Sequence, residues 1–394
     1  MRHGESAMTP TSAIILTSAL TALSALPLDV MLPSFVSIAN AYETSVDSIA
    51  SLVGYFAITF SVAQLIVGPL SDQVGRRRVL LIGLLIAAFG AVGGALAQSY
   101  ASHAMFRVVQ AVGCSCFILA QAIIQDTFPG GTGLRARIFN VTFGGLCIAG
   151  SPLLGVTLQE HFGWQASFWL FAVISIGVLL HSARYLTDTP RTQHREPSDY
   201  AKLYWQLANH RAFLTYTLIG TIAFSCHFSF IILSPNLFFD ILEFTSHDYA
   251  KVLLLYGGTY LLGGFLADRV AKRIAVQRQV QLGISMVGIA SALMIALYFG
   301  LGDHAATAMV PMLVATLGTT LIRPAAATLA MALFENYAGT AAAASGAIRF
   351  FVAGTLSIGL SNIPLSKFLL LTLLLLASYG ACATISCRWR AWRS

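Results

Sequence analysis

The sequence predicts an all-α integral membrane protein, with twelve transmembrane helices in two related six-helix halves and both termini in the cytoplasm. Three observations predict it. The 394 residues are 57% hydrophobic and only 10% charged, too little polar surface for a soluble chain of this size. Apolar runs of about 20 residues, enough helix to cross roughly 30 Å of hydrocarbon, recur along the whole length. A short basic turn at 68–78 returns in weaker form at 264–273, about half the chain later, as a duplicated unit requires.

The spans fall at 12–36, 47–70, 79–97, 103–126, 134–160 and 166–186, then at 211–239, 247–268, 278–300, 305–330, 339–362 and 365–387. The first is too long, too poor in basic flanking residues and too poor in small residues at its end for a signal peptide, so it is expected to remain as a helix. The second ends at Gly68-Pro69, and the third restarts after Arg76, Arg77 and Arg78, leaving a water-exposed loop of about seven residues. The fourth carries Arg107 and closes on Asp126, and the fifth contains Gly150-Ser151-Pro152. The longest polar stretch carries Pro190 and Pro197 and sets the domain boundary. Residues 1–186 form an N-terminal bundle, 187–210 a cytoplasmic linker and 211–394 a C-terminal bundle. In the second half Arg323-Pro324 lies in the tenth span and Arg349 near the middle of the eleventh.

Eighteen of the 23 Lys and Arg residues fall on the side of the 68–78 turn, and only Lys251 and Lys367 on the other. Short loops rich in Lys and Arg stay in the cytoplasm, which fixes the orientation. The net charge of +7 therefore reads as a topology signal; with no basic patch interleaved with aromatics, nucleic acid is not an expected partner. The six cysteines show no paired CxxC framework, so free thiols are expected, with no metal and no cofactor.

Four intramembrane charges carry the functional reading. Asp29, flanked by Pro27 and Pro33, must be protonated, paired or facing water, because a lone buried charge costs several kcal/mol. It stands about seven residues, roughly 10 Å, from the periplasmic end of its helix, and Arg107 lies at similar depth on the fourth. Asp29 is expected to exchange a proton with the periplasm while Arg107 tunes its proton affinity; the plainer alternative is a static ion pair. Arg323 and Arg349 have no acid inside the C-terminal spans. With Asp29 ionised, the four charges leave a cavity of net positive sign, which disfavours cations and favours a carboxylate-bearing substrate held by guanidinium forks. Snorkelling or bonding to backbone carbonyls is the alternative for these arginines. His227 can join them as a proton or hydrogen-bond partner, with a purely structural histidine as the alternative, and Tyr55, Gln64, Tyr256 and Tyr260 are expected to line the cavity.

The turn itself can act as a cytoplasmic gate. Gly68, Pro69 and Gly75 permit a sharp reversal, and Asp72 can dock at the start of the eleventh helix near Ala338–Thr340, with Arg76 bridging Asp72 to Asp126. A purely topological basic loop is the alternative.

Residues 68–78 resemble the loop motif of the major facilitator superfamily, with Gln73 where Arg is usual and Arg78 where Pro is common. Arg107-Val108-Val109-Gln110-Ala111-Val112-Gly113 resembles the family's proton-coupling motif of the fourth helix. Gly150, Pro152 and Gly155, followed by Phe162-Gly163-Trp164, resemble the antiporter motif, with Val156 in place of its last glycine. Leu28-Asp29-Val30-Met31-Leu32-Pro33 resembles a first-helix signature of the twelve-helix drug:proton antiporters of the Bcr/CflA type, which include chloramphenicol and bicyclomycin exporters. Gly339-Thr340-Ala341 also fits that pattern. The resemblance covers essentially the whole chain. It implies a monomeric, multi-pass protein of the bacterial inner membrane that exports a small molecule by alternating access in exchange for protons.

Drug efflux follows from the resemblance, and export of an anionic metabolite such as a carboxylate siderophore follows from the arginines. An intramembrane enzyme would need clustered catalytic groups; the nine histidines are scattered, and no Ser-His-Asp set shares one depth. A transport-dead receptor would lack Asp29 or a gate.

Overall fold

The structure, a computed structural model, describes residues 8–128, 131–187, 197–334, 338–363 and 365–391. The described residues are helical and contain no strand. The first half comprises α1 (Pro10–Asp29), α2 (Phe35–Ala41), α3 (Val46–Val74), α4 (Arg76–Leu96), α5 (Tyr100–Cys114), α6 (Leu119–Thr127), α7 (Gly131–Phe162) and α8 (Gln165–Tyr185). After α9 (Pro197–Asn209) come α10 (Arg211–Pro235), α11 (Ser246–Ala271), α12 (Val276–Leu301), α13 (Ala305–Met331), α14 (Ala338–Asn362) and α15 (Lys367–Ala391). Eleven spans among the described residues are long and apolar enough to cross a membrane, the first running Pro10–Ala41 through α1 and α2. The 32-residue α7 occupies the place of the fifth expected span.

Local chemistry sets the helix starts. Thr9 accepts a hydrogen bond from the Ser12 N–H at 3.3 Å, with Pro10 in the first turn, where its missing N–H costs nothing. Ser99 and Ser102 cap α5 reciprocally, and Thr245 caps α11 through the Asp248 N–H at 3.2 Å.

The chain divides into two compact units: the residues up to Met31 with Thr59–Leu203, and Leu32–Ile58 with Tyr204–Ser394. Within the first, α4 and α5 touch backbone to backbone. A Cβ on Gly90 would stand 2.4 Å from the Gln110 nitrogen, and one on Gly83 2.5 Å from the Cys116 Cβ. In lipid no water is gained by association, so close approach of small residues supplies the packing energy. Within the second unit α12 and α13 use the same device: a Cβ on Gly283 would stand 2.6 Å from the Gly318 carbonyl oxygen, and one on Gly318 2.7 Å from that of Gly283. The third and fourth helices of both sequence halves are thus joined alike.

Residues 46–58 of α3 belong to the second unit. A Cβ on Gly54 would stand 2.7 Å from the Gly354 carbonyl oxygen, and Ser357 Oγ donates to the Ala50 carbonyl at 3.2 Å. Lys367 Nζ pairs with Asp47 at 3.0 Å, its side chain only 10% exposed. Exposed pairs contribute ~0.2–1 kcal/mol, and breaking a buried one costs ~3–5 kcal/mol. Asp47→Ala, which removes a partly exposed carboxylate from a largely buried ammonium, is expected to cost ~1–3 kcal/mol, between those limits. The check is a lowered unfolding temperature of the purified protein; an unchanged one would show the pair to be solvated.

Two sequence expectations are corrected. The first span is not one continuous helix: α1 stops at Asp29, a short 3₁₀ turn covers Leu32–Ser34, and α2 resumes at Phe35. Pro33 supplies no N–H to a continuing ladder. The 68–78 stretch is not a seven-residue loop, because α3 continues through Val74 and α4 begins at Arg76. Gly75 alone makes the reversal, at φ 106°, which a side chain would resist. Ser71 Oγ donates to the Gly68 carbonyl at 2.7 Å just where Pro69 interrupts the ladder. Within the linker region Pro197 opens α9, which buries Tyr200, Leu203 and Leu207.

Candidate functional site

In the first unit the break in α1 is the centre of a polar site. Stopping the helix at Asp29 leaves its last carbonyls without intrahelical donors. Arg107 supplies one: its Nη2 donates to the Pro27 carbonyl at 2.9 Å, and its Nη1 donates to Gln110 Oε1 at 2.6 Å. Its guanidinium also lies 5.8 Å from the Phe168 ring centre. Arg107 is 1% exposed, so this network fixes a charge that lipid would reject. Asp29 forms no ion pair among the described residues and stays half-buried. Arg107 therefore meets the helix break through Pro27, and the static ion pair, the plainer expectation, is not formed.

The first unit also holds groups that sequence reasoning passed over. Asn140 is buried on α7, donates to Thr17 Oγ1 at 3.1 Å, and accepts from Thr21 Oγ1 at 3.1 Å. Further along the same face of α7, Cys147 lies within electrostatic range of Asp29. Asn140, Gly144 and Cys147 are spaced four and three apart, a helical stripe toward α1, and that spacing was the available signal. His103, wholly buried, bonds the Gly94 carbonyl through Nδ1 at 2.9 Å and packs edge-on against Trp164 and Phe168.

At the 68–78 stretch the expected gate residues separate. Gly75 is required by its backbone, whereas a Cβ on Gly68 would meet nothing within 4 Å. Arg77 Nη2 donates to the Ala183 carbonyl at 2.6 Å, capping the last turn of α8. Arg76 is half-buried. The side chains of Asp72, Asp126 and Ala338 lie outside the described residues, and Thr340 is half-buried. On α7, Pro152 is buried within the helix, a Cβ on Gly150 would meet open space, and Gly155 is buried.

In the second unit His227 and Tyr256 share a hydrogen bond of 2.7 Å, their rings stacked at 5.4 Å. Arg323 Nη1 donates to the Tyr260 hydroxyl at 2.9 Å and its guanidinium lies 5.0 Å from the Phe224 ring centre. The Arg349 guanidinium lies 5.9 Å from that same ring, and its buried Nε has no hydrogen-bond partner. Neither arginine has an ion pair among the described residues. The cluster joins five expected residues, His227, Tyr256, Tyr260, Arg323 and Arg349, and adds Phe224, which no charge pattern marks. Tyr55 stands apart, 44% exposed on α3, and Gln64 is buried. The described cysteines, Cys114, Cys116, Cys147, Cys226 and Cys382, are free thiols; the Cys387 side chain lies outside the described residues. No metal-binding group of three occurs among the described residues.

A membrane-spanning helical chain of two units with a charged group at a broken helix has the form of a secondary transporter. Residues 17–359 match the Major Facilitator Superfamily, and the chain belongs to that family, which places it among transporters rather than enzymes. It is 28% identical over 237 residues to multidrug resistance protein MdtL of Escherichia coli O81 (strain ED1a), a match that spans 59% of each chain and so less than two thirds of that relative. Among solved structures it resembles the D-xylose-proton symporter, with a TM-score of 0.71 at 14% identity over 95% of this chain and 97% of that one. It also resembles a bacterial homolog of the human lysosomal transporter Spinster, with a TM-score of 0.68 at 17% identity over 89% and 80% of the two chains. Those likenesses are of fold.

Proposed function

We propose that the chain is a proton-coupled exporter of small molecules in the bacterial inner membrane, working as a monomer by alternating access with both termini cytoplasmic. The observation that carries this reading is Asp29, a carboxylate at a helix break, unpaired among the described residues and two positions from the Pro27 carbonyl that Arg107 bonds. A group so placed can take and release a proton without unmaking the fold. The name of the multidrug relative supports efflux, and the resemblance of Gly150, Pro152 and Gly155 to the antiporter motif supports antiport. Asp72, Arg76 and Asp126 remain the proposed cytoplasmic latch, whereas Arg77, bonded to α8, is assigned a structural part.

The test is the purified protein in liposomes with an imposed pH gradient, offered a cationic drug, chloramphenicol and a carboxylate siderophore. Gradient-dependent movement of at least one, with counter-movement of protons, is expected. Flux indifferent to the gradient, or none, overturns the reading. A second reading, export of an anionic metabolite, draws on Arg323 and Arg349, and movement of the cation alone would remove it.

A further inference from the structure

We infer that Arg323, Arg349, Phe224 and Tyr260 form a binding site for a small planar aromatic carboxylate. The inference rests on the transporter reading and narrows its substrate class. Two guanidiniums share the Phe224 ring, at 5.0 and 5.9 Å from its centre, and no carboxylate pairs with either among the described residues. Like charges held this close in a membrane call for a counter-charge. Arg323 is braced by the Tyr260 hydroxyl, which fixes its fork, while Arg349 carries the free donor Nε. A carboxylate bridging the two forks would satisfy both charges and that orphaned donor. The rest of the site is aromatic: Phe224 packs edge-on against Phe350 at 5.2 Å, and the Tyr260 ring lies 5.5 Å from His227. Such walls receive a flat ring by offset stacking and gain less from a puckered aliphatic body of equal charge. His227 is spoken for by Tyr256, so it offers the ligand an apolar edge rather than a second charge.

Calorimetric titration of the purified protein in nanodiscs, without any gradient, tests this with salicylate, cyclohexanecarboxylate, chloride and tetraphenylphosphonium. Salicylate is expected to bind at least about tenfold more tightly than cyclohexanecarboxylate, the scale of an aromatic contact combined with better burial. Arg349→Gln should weaken salicylate about ten- to a hundredfold, as loss of a charge-assisted hydrogen bond does. Phe224→Leu, which keeps the charges, should level the two carboxylates while leaving binding measurable, so the inference stays testable if the arginine variant fails to fold. Equal binding of both carboxylates to the unaltered protein, unchanged affinity in both variants, or saturation by chloride that excludes salicylate would each overturn it. Gradient-driven flux of another compound in a protein that ignores salicylate would sink this site and leave the transporter reading standing; salicylate binding without any driven flux would do the reverse.

Discussion

Asp29→Asn should give a folded, membrane-inserted protein that no longer moves substrate in response to a pH gradient. The amide keeps the size of the carboxyl group but can neither take up nor release a proton, so the coupled step loses its carrier. The fold should survive because the helix break does not depend on the carboxylate: Arg107 bonds the Pro27 carbonyl and Gln110, not Asp29. Had the two charges formed a buried pair, removing one would strand the other at ~3–5 kcal/mol. Gradient-driven flux is therefore expected to fall to background while substrate-for-substrate exchange persists, since the amide imitates the protonated acid. Asp29→Glu should recover part of the driven flux. Exchange and driven flux measured side by side in liposomes decide the matter, and full driven flux in the asparagine variant would remove Asp29 from the coupling role.

That prediction was half legible in the sequence. A lone Asp inside an apolar run, between Pro27 and Pro33, marks itself as functional on cost alone, and Arg107 does the same. Their relation was not legible, because depth along two helices says nothing about which atom a guanidinium meets. Pro27 proved to be its partner through a backbone carbonyl, a group every residue carries. The spans could be read because bilayer thickness fixes their length, but interruptions within them depend on packing against neighbours. This is why 12–36 read as one helix and why Gly68-Pro69 read as a stop. In the same way, Phe224 hides among 25 phenylalanines, and only the fold brings two arginines onto it.

Glycine is where sequence and structure diverge most usefully, and it supports the second large effect. The match to the loop motif makes Gly68 look indispensable, yet its missing side chain would point into open space; Gly113, the last residue of the fourth-helix motif, has no such room. A Cβ there would lie 2.2 Å from the Ala87 nitrogen and 2.7 Å from the Gly83 carbonyl oxygen, both main-chain atoms of α4 that cannot rotate aside. Gly113→Ala must push α5 away from α4 along the seam that also carries Gly90 and Gly83, and overpacking of this kind costs ~1–3 kcal/mol. Gly113→Leu should exceed that and leave little protein that survives extraction as a single species. Gly68→Ala should hold or slightly raise the unfolding temperature, because alanine in a helix interior is favoured over glycine by ~0.5–1 kcal/mol. Thermal unfolding and size-exclusion profiles of the three variants provide the comparison. If Gly68→Ala is stable but transports poorly, that glycine acts in a conformation other than this one. If Gly113→Ala unfolds at the same temperature as the unaltered protein, the backbone contact between α4 and α5 is not what holds the first unit together.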